Sequence, residues 1–474
     1  MRMTDRRMYD RVLASDASYN GRFFLGVLTT GIYCLPGCTA RKPKRENVRF
    51  FPNCEAARAA GLRPCKKCHP DDFAAGADPV LESIETLVAE IRRAPADFRD
   101  TRSIVRRSGF GASRVFELFR LHYHQTPADV LQRARQEHCR RALLDEDTPL
   151  IEIAQAAGFE SLSVFHDRFR RQAGMTPGDY RRLRAAASFT IQLPGNYPLP
   201  YLRRALSRDP HSVTERLDGG TYTAAVRLQD GPAVITLRLS ATHIEVEATG
   251  ARGAEVHQLV IGLIGLDQDA EAFSRLARKL GLARLVRGRE GMRISQTSSV
   301  FEGLLWAIIG QQINFPFACL LRRRLFELAG TPLAGGLVAP PMPADVAALK
   351  PADLQKRQFS RQKAAYLIAT ARLVADGKLD LAALAHGSAT RVERTLLAVR
   401  GLGPWSVNYL MMRALGFADC VPYGDTGVTG GLQTLFKLEQ RPDVDATRRL
   451  MSVFSPHRSL ATAHLWQLNQ TPPV

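Results

Sequence analysis

Two close cysteine pairs constrain this chain more than any other feature in it. Cys34 and Cys38 lie in G-I-Y-C-L-P-G-C, Cys65 and Cys68 lie in R-P-C-K-K-C-H-P, and 26 residues separate the pairs. That is the spacing of a four-thiolate tetrahedral zinc site, each pair sitting on a turn that can aim two sulfurs at one ion. A segment of under about 80 residues has too little apolar core to stand alone, so its fold is expected to form around the metal. His69 follows directly and could replace one ligand, but four cysteines already close the site. Cys54, Cys139, Cys319 and Cys420 are scattered among aliphatics and read as small buried hydrophobes. This usage predicts a reducing cytoplasm rather than a disulfide framework.

At 474 residues the chain has room for three or four domains. A net charge of +19 and a pI near 10.0 call for a polyanionic partner. A membrane surface would also attract such charge. No run of about 18 apolar residues occurs, however, and the start Met1-Arg2-Met3-Thr4-Asp5-Arg6-Arg7 is polar, so no membrane segment or signal peptide is expected. Nucleic acid is the partner the charge predicts.

Around the cysteines, T-T-G-I-Y-C-L-P-G-C-T-A-R-K-P-K-R-E-N-V-R-F-F and G-L-R-P-C-K-K-C resemble the amino-terminal domain of Ada methylation-response proteins. The resemblance implies irreversible methyl transfer from a DNA phosphotriester to Cys34, with Cys38, Cys65 and Cys68 as the other zinc ligands. It also implies that Thr30, Arg41 and Arg45 face the DNA backbone. Four thiolates on Zn²⁺ carry net negative charge and stay nucleophilic. Methylation removes one of those charges, so a surface that repelled phosphate attracts it better afterwards.

Helical periodicity begins near Leu81, and an imperfect repeat follows at an offset of about fifty residues. The first copy is S-I-V-R-R-S-G-F-G-A-S-R-V-F-E-L-F, leading to Thr126-Pro127; the second is I-E-I-A-Q-A-A-G-F-E-S-L-S-V-F-H-D-R-F, leading to Thr176-Pro177. In each, a Gly-containing turn separates two helices, and the second helix has a polar face suited to a major groove. The second copy resembles the AraC-type helix-turn-helix closely. The first is looser, with His124-Gln125 where that pattern has a glycine turn. Arg114 and Glu117, then Ser161, Ser163 and His166, are the candidate groove-facing residues.

From Ser188 the texture changes to β-branched, alternating runs bounded by Gly, Pro and Asp-Gly, which predict an antiparallel sheet. From Asp267 helices return. The stretch Val399–Gly430 then carries V-R-G-L-G-P-W-S-V-N-Y, a bare-backboned turn between two apolar helical segments, followed by Asp425 between Gly424 and Gly427. Glycines there let backbone N–H groups converge on an anion, and a helix starting near Pro404 adds its positive end. This stretch resembles the helix-hairpin-helix and Gly/Pro-Asp motif of base-excision glycosylases, most of all the AlkA-type alkylbase glycosylases.

That resemblance implies a carboxylate role for Asp425 against developing positive charge on the sugar. It implies a cation-attracting base pocket of Trp405, Tyr409 and Trp466. Gly401 and Gly403 would anchor a phosphate, with a monovalent cation at the hairpin. V-F-E-G-L-L-W-A-I-I-G-Q-Q-I-N matches a family segment whose following turn carries the residue that wedges into the base stack, here Gln312. Trp405 stands where bifunctional glycosylases carry their Schiff-base lysine, so strand cleavage is not expected.

The chain therefore reads as multidomain and mainly α with one α+β domain. A small zinc module (1–78) precedes an AraC-type double helix-turn-helix (79–187), an AlkA-like α+β domain (188–266) and a helical HhH-GPD glycosylase domain (267–474). The expected function is alkylation repair: a monofunctional glycosylase of 3-methyladenine type, a zinc-thiolate methyl acceptor and a DNA-binding activator in one cytoplasmic, nucleoid-associated monomer. Alkylated and promoter duplex DNA and RNA polymerase are the expected partners. The rival is a methylation-responsive activator whose glycosylase half is weak or inactive, favoured by Gln312 and by Gly424 in place of a second acid.

Overall fold

The computed structural model describes residues 3–16, 19–145, 147–249 and 253–470. The chain divides into two compact units, with the boundary between residues 89 and 90.

In the first unit, strands β1 (Phe24–Val27), β2 (Ile32–Cys34), β3 (Val48–Phe51) and β4 (Arg63–Pro64) form one sheet in the order β3-β1-β2-β4. Its small core is Phe24, Tyr33, Leu35, Phe51, Cys54, Ala57 and Leu62. Gly26 is required there, because a Cβ would come within 2.5 Å of both the Leu62 and Phe51 side chains. Strands β2 and β4 pair in parallel, Tyr33 opposite Pro64. That register places Cys34 and Cys65 side by side as the two strands end, which is how a segment with so little core gathers its sulfurs.

The second unit begins with the repeat. Its first copy pairs the helices Thr101–Ser108 and Ala112–Tyr123; the second pairs Leu150–Ala156 and Leu162–Ala173. Both turns use a left-handed glycine, Gly109 at φ +69 and Gly158 at φ +87. Each copy then restarts on a Thr-Pro step, where Thr126 with Asp129 and Thr176 with Asp179 exchange side-chain to backbone hydrogen bonds that cap the next helix.

The sheet is five-stranded and antiparallel: β5 (Ser188–Gln192), β6 (Glu215–Asp218), β7 (Thr221–Leu228), β8 (Gly231–Leu239) and β9 (His243–Thr249), ordered β5-β9-β8-β7-β6. Strand β6 (E-R-L-D) escapes a sequence reading because it is four residues long, polar and at the edge. Phe165, Phe169 and Tyr180 of the second repeat copy share one continuous core with Ile191, Ile235 and Val246 of the sheet. His257 fastens the same junction, its Nε2 2.7 Å from the Ala173 carbonyl and its ring edge-on to Tyr180. A separate core, from Phe273 to Leu465, belongs to the helical region. Between sheet and helices lies a largely enclosed ion cluster: Arg322 donates to both carboxylate oxygens of Glu215 (3.1 Å each) and to buried Glu302 (2.5 Å).

Candidate functional site

The sulfurs of Cys34, Cys38, Cys65 and Cys68 all lie within 4.8 Å of one another, three of the residues buried and Cys68 half-buried. A tetrahedral ion with sulfur at ~2.3 Å holds its ligands roughly 3.8 Å apart, so the four sulfurs are gathered closely enough for one ion. Backbone amides already point at it: Leu35 N donates to Cys68 Sγ and Lys67 N to Cys65 Sγ, both at 3.4 Å. Crowding separates the proton affinities of the thiols. Hydrogen bonds with the other three push Cys34 up and pull Cys65 down, and Cys38 falls to about 7, chiefly through Cys34. Lys42 donates to the Cys38 carbonyl, and Lys67 to the Thr39 carbonyl at 3.4 Å, placing two cations on the rim. Thr30 and Arg41 are exposed. Arg45 is engaged elsewhere, 3.0 Å from Asp5 and over the rings of Tyr9 and Phe50.

In the repeat, Ser161 caps the Leu162–Ala173 helix, its hydroxyl accepting from Val164 N at 3.4 Å, and Ser163 beside it is exposed. His166 is half-buried against Phe165. Arg114 in the first copy is folded back onto Glu117 at 2.9 Å.

Asp425 terminates a loop and caps the helix Thr426–Phe436. Its Oδ1 accepts from the amides of Gly427 (2.9 Å) and Val428 (3.0 Å) and from Trp466 Nε1 (2.9 Å), while Oδ2 accepts from Trp405 Nε1 at 3.2 Å. The two tryptophans singled out for the base pocket thus also clamp the carboxylate. Gly427 makes that possible, since a Cβ would sit 2.7 Å from Trp466 Cδ1. Trp405 stacks on Tyr409 (5.3 Å between centroids, 19° between planes), and Tyr409 lies 6.2 Å from Trp466. The three rings and the carboxylate form one contiguous cluster, with Trp405 and Trp466 half-buried and Tyr409 buried beneath Trp405. Sequence reasoning missed Trp306, whose Nε1 donates to Tyr409 Oη at 2.9 Å and fixes the ring from behind. Its position inside an apolar stripe gave no sign of this.

The hairpin links the helices Ala389–Leu397 and Pro404–Arg413. Gly401 has φ +98, and a Cβ would strike the Tyr366 ring at 2.5 Å; Gly403 has open space at that point and caps the second helix. Gln312 is exposed at φ +57, a left-handed conformation in the turn after the helix Val300–Ile309. Two residues the sequence did not single out hold that turn. Lys363 Nζ donates to the carbonyls of Ile309 (2.8 Å) and Gln311 (2.7 Å), and Gln311 Nε2 donates to Gly401 O (2.8 Å) and Ser406 Oγ (2.9 Å). Wedge turn and hairpin are therefore one hydrogen-bonded piece. Burial lowers the proton affinity of Lys363.

Comparison with known proteins follows this order of parts. Residues 7–71 match the metal-binding domain of Ada, residues 104–183 a helix-turn-helix domain, and residues 305–456 the HhH-GPD superfamily of base excision DNA repair proteins. The chain is 30% identical to a probable bifunctional transcriptional activator/DNA repair enzyme AlkA of Mycobacterium tuberculosis, over 98% of each chain. It is 31% identical to the DNA-3-methyladenine glycosylase of Bacillus subtilis over 43% of this chain and 68% of that one. Against the bifunctional transcriptional activator/DNA repair enzyme Ada of Escherichia coli it is 33% identical over 38% and 49%. Among solved structures, the 3-methyladenine DNA-glycosylase of Archaeoglobus fulgidus superposes with a TM-score of 0.52 at 19% identity, over 60% of this chain and 99% of that one. The 8-oxoguanine glycosylase/lyase of Clostridium acetobutylicum bound to DNA gives 0.50 at 19% identity, over 59% and 94%. At that identity the two structures establish a shared fold.

Proposed function

Because this chain belongs to the family of bifunctional transcriptional activator/DNA repair enzymes that joins an Ada metal-binding domain to an AlkA-type glycosylase, we propose that Asp425 and Cys34 carry two separate repair reactions in it. The protein is a DNA alkylation-repair enzyme, a glycosylase that excises N-alkylated purines of the 3-methyladenine type, with a zinc-binding methyl acceptor and an AraC-type DNA-binding region. The four-domain division at residues 78, 187 and 266 belongs to the same reading, as do a monomeric state, a nucleoid location and contact with RNA polymerase at promoters.

At the glycosylase site, an alkylated purine carries positive charge and stacks on the electron-rich faces of Trp405, Tyr409 and Trp466. Its glycosidic bond breaks with both electrons passing to the base, which leaves neutral, while positive charge builds on the sugar. Asp425 stabilises that charge. Oδ1 is saturated by three donors, so Oδ2, with one long contact to Trp405, is the oxygen with capacity to face the sugar and the attacking water. Water adds at the sugar carbon and releases a proton. Gly401 and Gly403 present backbone amides to a phosphate, and Gln312 fills the gap the extruded base leaves. A monovalent cation at the hairpin would rest on turn carbonyls, of which Gly401 O already accepts from Gln311.

At the cysteine cluster, zinc when bound keeps the four sulfurs as thiolates. Cys34 Sγ attacks the methyl carbon of a phosphotriester, the C–O bond breaks, and an ordinary phosphodiester leaves with the electron pair. Thr30, Arg41 and Arg45 guide the backbone in, and Arg114, Ser161 and Ser163 face DNA from the repeat. The observation that carries the enzymatic reading is the clamp of two indoles on Asp425. Its test is release of methylated purines from alkylated duplex DNA by wild type and Asp425→Asn, with mass spectrometry of the same sample for one methyl on Cys34. Loss of release in a folded, DNA-binding Asp425→Asn variant is the expected result. No release by wild type would leave the activator reading in its place.

A further inference from the structure

Three sequence features with no part in either reaction meet at one point: the turn at His124, the acid at Asp419, and Arg458 in Pro456-His457-Arg458. The first repeat copy ends its Ala112–Tyr123 helix on His124 at φ +56, where the second ends the equivalent helix on Gly174 at φ +66. Left-handed backbone costs a histidine energy that it does not cost glycine, so some contact of the ring must offset it. That contact lies in the glycosylase region. His124 Nδ1 accepts from the amide of Asp419 at 3.2 Å, and the ring packs edge-on to Phe417 at 5.6 Å.

Asp419 opens the segment that leads to Asp425. Its carboxylate accepts from Arg458 Nε and Nη2 (2.8 Å each), from Arg458 N (3.0 Å) and from Ser455 Oγ (2.8 Å), and Arg458 Nη1 reaches on to Tyr423 Oη at 3.4 Å. The next amides are likewise held by side chains, Cys420 N by Ser459 Oγ (2.9 Å) and Val421 N by Asn408 Oδ1 (3.2 Å), and Asp425 N closes on Pro422 O at 3.0 Å. Three consecutive amides thus fix the approach to Asp425, and the first of their acceptors comes from the helix-turn-helix region. The same copy makes a second attachment two residues earlier. His122 Nδ1 lies 2.9 Å from Thr390 Oγ1, at the start of the helix that enters the hairpin.

We infer that the first helix-turn-helix copy is a positioning element of the glycosylase, in which His124 sets the Asp419–Gly424 segment that presents Asp425. The copy supports the catalytic loop through His124 and the hairpin helix through His122, in addition to the DNA contact proposed for Arg114. This inference rests on Asp425 being the catalytic carboxylate.

The test compares full-length wild type, His124→Gly, His124→Asn and Asp425→Asn in steady-state release of methylated purines from duplex DNA. Hydrogen exchange of the 417–425 peptide is followed in parallel. Glycine keeps the left-handed turn and removes the acceptor; asparagine tolerates the turn and returns an acceptor oxygen. His124→Gly should lower kcat roughly ten- to a hundred-fold with KM little changed, as misplacing a catalytic group does, and should speed exchange at 417–425. His124→Asn should recover most of both. Equal kcat in wild type and His124→Gly overturns the inference, and so does an equal fall in the glycine and asparagine variants. Should His124→Gly not fold, wild-type-like kcat and exchange in His124→Asn supports the inference, and a fall in that variant overturns it. Full activity in Asp425→Asn instead overturns the reading on which it rests.

Discussion

Trp466 is asked to do two things with one side chain, and the two can be separated. Its ring lies 6.2 Å from that of Tyr409, on the side proposed for the base, and its Nε1 donates to Asp425 Oδ1. Trp466→Phe keeps an aromatic face and removes the donor. A hydrogen bond to a charged group is worth about 1.5–3 kcal/mol, so kcat for base release should fall roughly ten- to a hundred-fold while KM stays near wild type. A rise in KM at unchanged kcat would show that the ring alone matters. The gathering of the four cysteines, and of Trp405, Tyr409 and Trp466 around Asp425, was legible in the sequence because the motifs and the resemblance they carry had already grouped them. Trp306 was not, because its partner lies 103 residues away and nothing local marks it; His124 stood out only as a departure from a glycine turn, and its partner, 295 residues away, could not be read.

Among elements, the join between the sheet and the helical region turns on Arg322. It stands first in a run of three arginines that look alike in sequence, yet their surroundings differ. Arg322, its side chain only 11% exposed, is packed against Glu215 and Glu302, Arg323 lies 3.7 Å from Asp209, and Arg324 reaches Gln358 Oε1 at 2.6 Å. Burial lowers the proton affinity of Arg322, and the two carboxylates more than reverse the effect. That helices return from Asp267 was readable in the sequence, but only the β6 edge strand, itself too short and polar to read, brings Glu215 to Arg322 rather than to its neighbours. Removing one partner of such a cluster strands the other charges, so Arg322→Ala should cost about 3–5 kcal/mol in urea unfolding. A loss below about 1 kcal/mol, the range of an exposed pair, would mean the cluster is wetter than its burial implies.

The whole molecule couples stability to pH through histidines that its cores enclose. Burial drives His257 and His464 down from 6.5 to about 3, so both stay neutral in the folded protein. In the unfolded chain they take up protons below about 6.5, and the stability they share is therefore present above that pH and lost as pH falls toward 3. Melting temperature should decline between about pH 7 and about pH 5, before carboxylates titrate, and His464→Gln should flatten the decline. An unchanged slope in that variant would count against the assignment. The shared core of the second repeat copy and the sheet has a different consequence. Among the described residues the second copy runs into the sheet without a slack tether, and both lie in one compact unit with the glycosylase helices, so neither surface sweeps out a volume of its own. Once one of them docks, the other is carried to a set azimuth and a set number of base pairs along the duplex, and the protein becomes sensitive to helical phase.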